Sequence, residues 1–457
     1  VLALLFLLLQ DLQTEYEEKR LQAPQTARGQ FELGKWCDAR KLREQAIKAY
    51  ERAVEIDPDF EPAHKALGRK KVLGRWASER DYADPKWWTH PKVDQKKVDD
   101  AIIKGVEWLL SQKDLTGGKH NDKVNFRYDE LVLLTVLESG WDRKDSRVTA
   151  LVERVLRQPL DMTYHVSVRA MCLAAIDPMK YQQQLAECAQ WLVDNQAENG
   201  QWGYGKKVNL PATFPTTGKG PIPDIETGLE VREPGRRKPK QIEISKREST
   251  GDKAGDNSNS QYAALGIRAC LSGLVVVPKE TVKKAHDFWE KCQDANGGWG
   301  YNAVHHAISG QWGSMTAGAI GCLAIYKYYL ARVWNENADW RKSTSIDKGI
   351  KWLAARLDFT KNPLYPYGNW WHHYWLYAIE RAGRLLETET FVDKEWYPGG
   401  ANWLLARQNA DGSWQKEDWG RGSKEHFLPG LVSETCFAIL FLRRATPRLD
   451  DTIKTGK

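Results

Sequence analysis

Lys284-Ala285-His286-Asp287-Phe288-Trp289-Glu290-Lys291-Cys292-Gln293-Asp294-Ala295-Asn296-Gly297-Gly298-Trp299 is the stretch on which the fold turns. Phe288-Trp289 closes the apolar stripe of a helix, and Gln293 stands in its last turn. Asn296-Gly297 then stops the helix, because glycine tolerates the left-handed backbone of a carboxyl-terminal cap. Trp299 follows the turn, placed to fold back on a neighbouring helix. The phrase recurs as Lys104-Gly105-x2-Trp108-Leu109 with Gln112 and Gly117-Gly118. Trp191-Leu192-x3-Gln196 leads to Gly200-x-Trp202, and Trp403-Leu404-x3-Gln408 to Gly412-x-Trp414. Lys348-Gly349-x2-Trp352-Leu353 is a partial copy with Leu357 in place of the Gln. The recurrence accounts for much of the excess of 21 tryptophans in 457 residues, since rings of that size need organised packing.

Six nearly all-apolar helices, rich in small residues, are predicted at about 128–138, 164–176, 258–274, 314–330, 372–386 and 432–443. Six amphipathic partners are predicted at about 98–112, 146–157, 179–196, 279–293, 345–357 and 394–408. An inner layer covered on most sides and an outer layer facing water require this alternation. An open solenoid would give the same alternation, but the Trp-braced six-fold count favours closure, so the fold class is all-α, a closed (α/α)6 toroid over residues 98–445.

With these phrases the chain resembles the terpenoid cyclase and protein prenyltransferase superfamily. Lys284-Ala285-x2-Phe288-Trp289-x3-Gln293…Gly297-Gly298-Trp299 matches the QW repeat of squalene-type cyclases. The resemblance spans roughly three quarters of the chain and is closest to secreted bacterial toroid proteins. It implies the α/α toroid and a cavity at the starts of the inner helices. The family's catalytic signatures are absent. Squalene-type cyclases carry a D-x-D-D acid, and here Asp256-Asn257-Ser258-Asn259 offers one carboxylate, while Asp450-Asp451 lies in the tail. Protein prenyltransferases hold zinc with an Asp-x-Cys and a distant His; Glu434-x-Cys436 is the nearest match, so no metal or other cofactor is expected. The Cys-Gly-Glu-Gln of thioester-type rings is missing too.

Ahead of the ring, Leu33-Gly34 recurs 34 residues later as Leu67-Gly68, the tetratricopeptide period. Ala46-x3-Tyr50, Ala53 and Pro58 continue that pattern, although Gln30 and Cys37 replace its usual Trp and Tyr. Residues 25–76 thus look like one tetratricopeptide unit plus half of another, either a groove for a protein partner or a structural cap. Gly34 and Ala46 let two helices approach, Tyr50 fills the groove and Pro58 ends the second helix. Residues 1–24 are a lead-in, 77–97 a linker and 446–457 a polar tail. The opening run Val1-Leu-Ala-Leu-Leu-Phe-Leu-Leu-Leu9 is too short to span a bilayer. It reads as the remnant of a signal-peptide h-region, which predicts export to the periplasm or beyond rather than a cytoplasmic protein.

A net charge of +7 is mild, and residues 206–253 hold eleven Lys/Arg against seven Asp/Glu in a Pro- and Gly-rich insertion at 206–255. This reads as a solvated loop or lid and not as a nucleic-acid stripe. Seven cysteines without a C-x-x-C pair, most within apolar helical runs, argue against a disulfide framework and a thiolate zinc site.

The helix starts that line the mouth supply the site candidates. Asp256 and Glu434 are the catalytic candidates, Asp256 also reading as the N-cap of a long helix. Beside Asn amides its carboxylate is expected to be ionised at neutral pH. Asp129, Tyr164, His165, Asn257, Asn259, Gln261, Trp371, His372, His373 and Tyr374 are candidates for ligand contact, with Glu130, His305 and His306 as further titratable groups. Adjacent residues on a helix point about 100° apart, so at most one of His372 and His373 lines the cavity squarely.

Three functions remain open. A toroid that binds an apolar or small-molecule ligand, or a protein partner, follows from an intact scaffold without signature acids. A diverged isoprenoid cyclase would use aromatic walls to stabilise carbocations. A carbohydrate-active enzyme would pair Asp256 with Asp129, Glu130 or Glu434. An enclosed aromatic cavity with one acid favours the second, a cleft with two carboxylates the third, and an interior filled by side chains the first.

Overall fold

Small residues spaced along 27–56 produce a helical hairpin, α1 (Ala27–Ala39) and α2 (Arg43–Ile56), in the computed structural model. The structure describes residues 12, 14–72, 75–77, 90–120, 124–217, 241–245, 252–302, 310–336, 343–366, 371–414 and 430–449. It divides into two units, Val1–His90 and Pro91–Lys457. In the first, the Thr26 side chain caps α1 by accepting from the Gly29 N–H at 3.1 Å. Gly34 is required where the helices cross, because a Cβ there would stand 2.3 Å from the Tyr50 ring. Tyr50 fills that space and donates to Asp38 at 2.6 Å, over Leu33, Cys37, Ala46, Ala49 and Ala53.

The half-repeat expected around Leu67-Gly68 takes another form. Leu33-Gly34 lies within α1, whereas α3 is only Glu61–Ala66 and Gly68 follows it at φ 70°. That left-handed residue turns the chain out of the helix into the antiparallel pair β1 (Lys70–Val72) and β2 (Arg75–Ala77). Gly34→Val is expected to weaken this unit by about 1–3 kcal/mol through overpacking. Urea unfolding of the full chain should show the loss as an earlier transition, and Gly68→Asn, which tolerates the same backbone, should not.

In the second unit the outer helices are α4 (Gln95–Ser111), α6 (Ser146–Arg157), α8 (Gln182–Asp194), α10 (Lys279–Lys291), α12 (Thr344–Arg356) and α14 (Tyr397–Leu405). The inner ones are α5 (Asp129–Ser139), α7 (Thr163–Ile176), α9 (Asn257–Ser272), α11 (Gly313–Trp334), α13 (His372–Leu385) and α15 (Leu431–Arg443). Each inner helix packs on the next, and α15 returns to α5, so the ring is closed. The outer helices lie against this inner cycle, with α4 contacting α15 and α14. The predicted inner starts fall within one residue of these. Two outer helices begin later than expected. α14 is delayed because 394–395 pairs as β9 (Lys394–Glu395) with β8 (Thr390–Phe391), and Pro398 then opens the helix. α8 is preceded by a turn that Asp177 caps through the Met179 and Lys180 N–H groups.

The repeated phrase closes the ring through specific bonds. The indole N–H groups of Trp202, Trp299 and Trp414 donate to Leu192, Trp289 and Leu404 carbonyls at 2.7, 2.8 and 2.9 Å, each ten residues back. Gln196, Gln293 and Gln408 each bridge their own turn (Gly200, Gly297, Gly412) to the next outer helix region at Thr281, Ser345 and Ala101. Gly412 stands at φ 97°, and a Cβ on it would meet the Lys104 carbonyl at 2.4 Å. Gly105 makes room for the Trp414 ring, as Gly349 does for Trp299. The copy at 104–118 departs from this pattern: Gln112 donates to Trp108 and Ser111 of its own helix. Its chain continues into a hairpin, β3 (Thr116–His120) and β4 (Val124–Arg127), which replaces the bracing turn.

Part of the 206–255 insertion is anchored. β6 (Gln241–Glu243) pairs antiparallel with β5 (Thr216–Thr217) and parallel with β7 (Val275–Val276). Ile242 and Ile244 are buried there and Glu243 is exposed, the period-two pattern of a half-buried strand. The remainder, 218–240 and 246–251, lies outside the described residues, as do 1–11, His305, His306, Trp370 and Asp450-Asp451. Residues 446–449, expected to open a polar tail, are held on the ring. Leu449 is fully buried, Arg268 donates to the Pro447 and Arg448 carbonyls, and Glu380 accepts from the Thr446 N–H and hydroxyl. Burial pushes the Glu380 carboxyl up to about 7. No described helix is long and apolar enough to cross a membrane.

Candidate functional site

Inner helices begin where the chain returns from each turn, so segments remote in sequence meet at their starts. The Asp256 N–H bonds the Trp202 carbonyl at 3.0 Å, and the Asn257 N–H bonds that of Tyr301 at 2.9 Å. Asn257 also donates to the Gly300 carbonyl and accepts from Gln201, both at 2.8 Å. These ties fix the start of α9 between the turns at 197–205 and 294–302.

Asp256 is the N-cap of α9. Its carboxylate accepts from the Asn259 N–H at 2.8 Å and the Asn259 side-chain amide at 2.7 Å. The Ser258 N–H and the Tyr301 hydroxyl bond it as well. Burial outweighs these bonds and pushes the carboxyl up to about 6, so the group stays mainly ionised at neutral pH but less firmly than expected. Tyr301 also bonds Tyr204, whose hydroxyl is pushed up to about 12 by burial and by the Asp256 charge. Tyr164 and Ser258 hydroxyls bond each other, and Tyr374 reaches the same Ser258.

Half-buried rings border this cluster. Phe126, Tyr164 and Tyr204 stand 6.2–6.4 Å from one another, centroid to centroid, at 50–84°. Trp371 caps α13 in the left-handed region at φ 61°, a conformation of some strain for a bulky residue, and meets Tyr374 edge-on at 6.2 Å.

Deeper in the ring, Gln261 on α9 accepts from Tyr374 at 3.1 Å and from Arg381 at 3.0 Å, both on α13. Since α11 lies between these helices in the inner cycle, the bonds cross the ring. Arg381 is buried, its guanidinium 5.6, 5.6 and 4.4 Å from the ring centroids of Tyr262, Tyr374 and Tyr377. Phe437 of α15 packs on Tyr374 and Tyr377 at 5.6 and 5.7 Å. Arg381, Tyr204, Tyr262, Tyr301 and Phe126 were not among the sequence candidates. One signal was legible: Glu380-Arg381 places adjacent charges in the middle of an inner helix.

The remaining candidates are occupied elsewhere. Asp129 pairs with Arg154 of the outer helix α6, and Glu130 with Arg127 at 2.7 Å. His165 donates from Nδ1 to Asp161 at 2.9 Å, and its Nε2 accepts from the Arg127 N–H at 3.3 Å. His372 and His373 both lie against Trp403 of α14, at 4.3 and 5.6 Å, so neither lines the axis squarely. Glu434 is buried in the first turn of α15, opposite α9 in the inner cycle. Asp256, Tyr164, Asn257, Asn259, Gln261 and Tyr374 are thus brought together, whereas Asp129, Glu130, His165, His372, His373 and Glu434 are not part of that cluster. Among the described residues no three His, Cys, Asp or Glu side chains are grouped as metal ligands, and the seven cysteines are buried and free.

No protein-family model matches the chain, and no curated protein matches it. Among solved structures it is similar to type II terpene cyclase MstE from Scytonema, at 13% identity and a TM-score of 0.45 over 77% of this chain and 99% of that one. It is similar also to a possible member of GH105 family from Salmonella enterica, at 12% identity and a TM-score of 0.49 over 78% and 95% of the two chains. An inactive variant of alpha-1,6-mannanase from Salegentibacter, in complex with alpha-1,6-mannotetrose, matches at 12% identity and a TM-score of 0.45 over 76% and 98%. Likenesses this distant carry neither a residue role nor an activity across.

Proposed function

We propose that the toroid is a small-molecule-binding scaffold, with its site in the cluster around Asp256, and that it does not cyclise isoprenoids. The observation that carries this reading is the occupied interior beneath the mouth. Gln261, Tyr374 and Arg381 meet across the ring, with Tyr262, Tyr377 and Phe437 around them. A polyene needs an empty chamber in which to fold, and side chains take up that depth. The tyrosine faces that would stabilise a carbocation are turned to a guanidinium already, and a second buried cation beside it would be repelled. Asp256, tied into a helix cap with its carboxyl near 6, is a far weaker acid than alkene protonation needs. Glycoside chemistry lacks support as well, because Asp129 and Glu130 are committed to arginines and Glu434 stands on the opposite helix.

Incubation of the full chain with squalene, with geranylgeranyl diphosphate and with α-linked oligosaccharides should return each unchanged by mass spectrometry. A cyclised or cleaved product that disappears in Asp256→Asn would overturn the reading.

A further inference from the structure

Asp256 differs from Asp129, Glu130 and Glu380 in what surrounds it. Asp129 has Arg154, Glu130 has Arg127, and Glu380 feels Arg384 and Arg381. Among the described residues, the hydrogen-bond partners of Asp256 are the neutral groups of Asn259, Ser258 and Tyr301. A buried carboxylate whose described partners are all neutral is a costly arrangement that a bound cation would relieve. Beside it the rings of Phe126, Tyr164 and Tyr204 meet at steep angles, 6.2–6.4 Å apart, and each is half-buried and so reachable from solvent. Arg381 shows what such walls do in this same molecule, since three tyrosine faces hold its guanidinium. Its guanidinium stands 5.6 Å from the Tyr374 ring, although the Arg381 backbone lies two helical turns beyond that of Tyr374 along α13.

We propose that the mouth binds an organic cation, an ammonium-bearing small molecule, with Asp256 as its counter-charge and Phe126, Tyr164 and Tyr204 as its aromatic walls. The proposal names the ligand class of the site and rests on the reading that this site binds a ligand. A polyol would find hydrogen-bond acceptors here but would leave the carboxylate uncompensated. An ammonium group answers both the charge and the ring faces.

The test is calorimetric titration of the full chain with choline and with tetramethylammonium, against the uncharged isostere 3,3-dimethylbutan-1-ol. Choline should bind at least about tenfold more tightly than the isostere, and Asp256→Asn should weaken choline by about tenfold. Asn is as good a helix N-cap as Asp, so this variant keeps its fold, checked by circular dichroism. Tyr204→Phe should change choline affinity by less than about twofold and Tyr204→Leu should weaken it about tenfold, because the ring face and not the hydroxyl is used. Equal binding of choline and isostere would overturn the cation class while leaving a ligand site. Choline binding unchanged in Asp256→Asn, or absent in the unaltered chain, would overturn it too. Isoprenoid turnover would instead remove the reading beneath it.

Discussion

Trp414→Ala is expected to lower the stability of the ring by about 3–5 kcal/mol, the cost of emptying a buried aromatic site. Trp414 is fully buried, its indole donates to the Leu404 carbonyl, and its backbone N–H bonds the Thr435 hydroxyl at 3.0 Å. Its ring also fills the space left by Gly105 on α4, where the last repeat meets the first. The loss should therefore concentrate at the closing seam. Hydrogen exchange should show α4 and α14 losing protection ahead of the other helices, and urea unfolding should give the magnitude. Trp403→Ala, at a half-buried ring on the same outer helix, should cost clearly less. A loss spread evenly over the six hairpins would count against the seam as the weak point.

The second large effect has the opposite sign. Asp256 has an ordinary carboxyl value of 3.8, raised to about 6 in the folded chain, with burial as the leading cause. The folded state therefore holds the proton more tightly than the unfolded one. Below 3.8 the group makes no difference, between 3.8 and 6 stability falls as pH rises, and above 6 the cost is fully present. The shift corresponds to about 3 kcal/mol. Asp256→Asn removes the charge and keeps the cap. Asn259 can accommodate the new amide, because its buried Oδ1 has no hydrogen-bond partner among the described residues and can turn to accept from it. The variant should be more stable than the unaltered chain by up to about 3 kcal/mol at pH 7.5 and about equal at pH 4. Urea midpoints across this range decide it. A difference that does not change with pH would mean that charge burial is not the cause. Together with weaker cation binding in the same variant, a gain in stability would mark Asp256 as a residue held against the interest of the fold.

The ring was legible because its phrase is local. A Gln in a last turn, a glycine at the stop and a Trp beyond it specify one hairpin, and each repetition specifies another. The exception at Gln112 was not legible, because the residues match while the chain after them pairs as strands. Gly68 carries the same lesson: the dipeptide recurs, but its place beyond a helix end depends on the shortness of α3.

The site was legible only as a set of helix starts. Helix phase divided that set, sending His372 and His373 toward Trp403 and Tyr374 toward Gln261. Periodicity and turn residues by themselves determined that this chain makes six hairpins in two layers, while the contact of α15 with α5 is what closes them into a ring. Only the tertiary structure decided what the ring contains. Tyr164 and Ser258 lie 94 residues apart in the chain and Gln261 and Arg381 120 apart, so their meeting depends on closure and on the rotation of each inner helix. Burial and counter-charge, which set the properties of Asp256 and Arg381, arise from those meetings and are not properties of the residues alone.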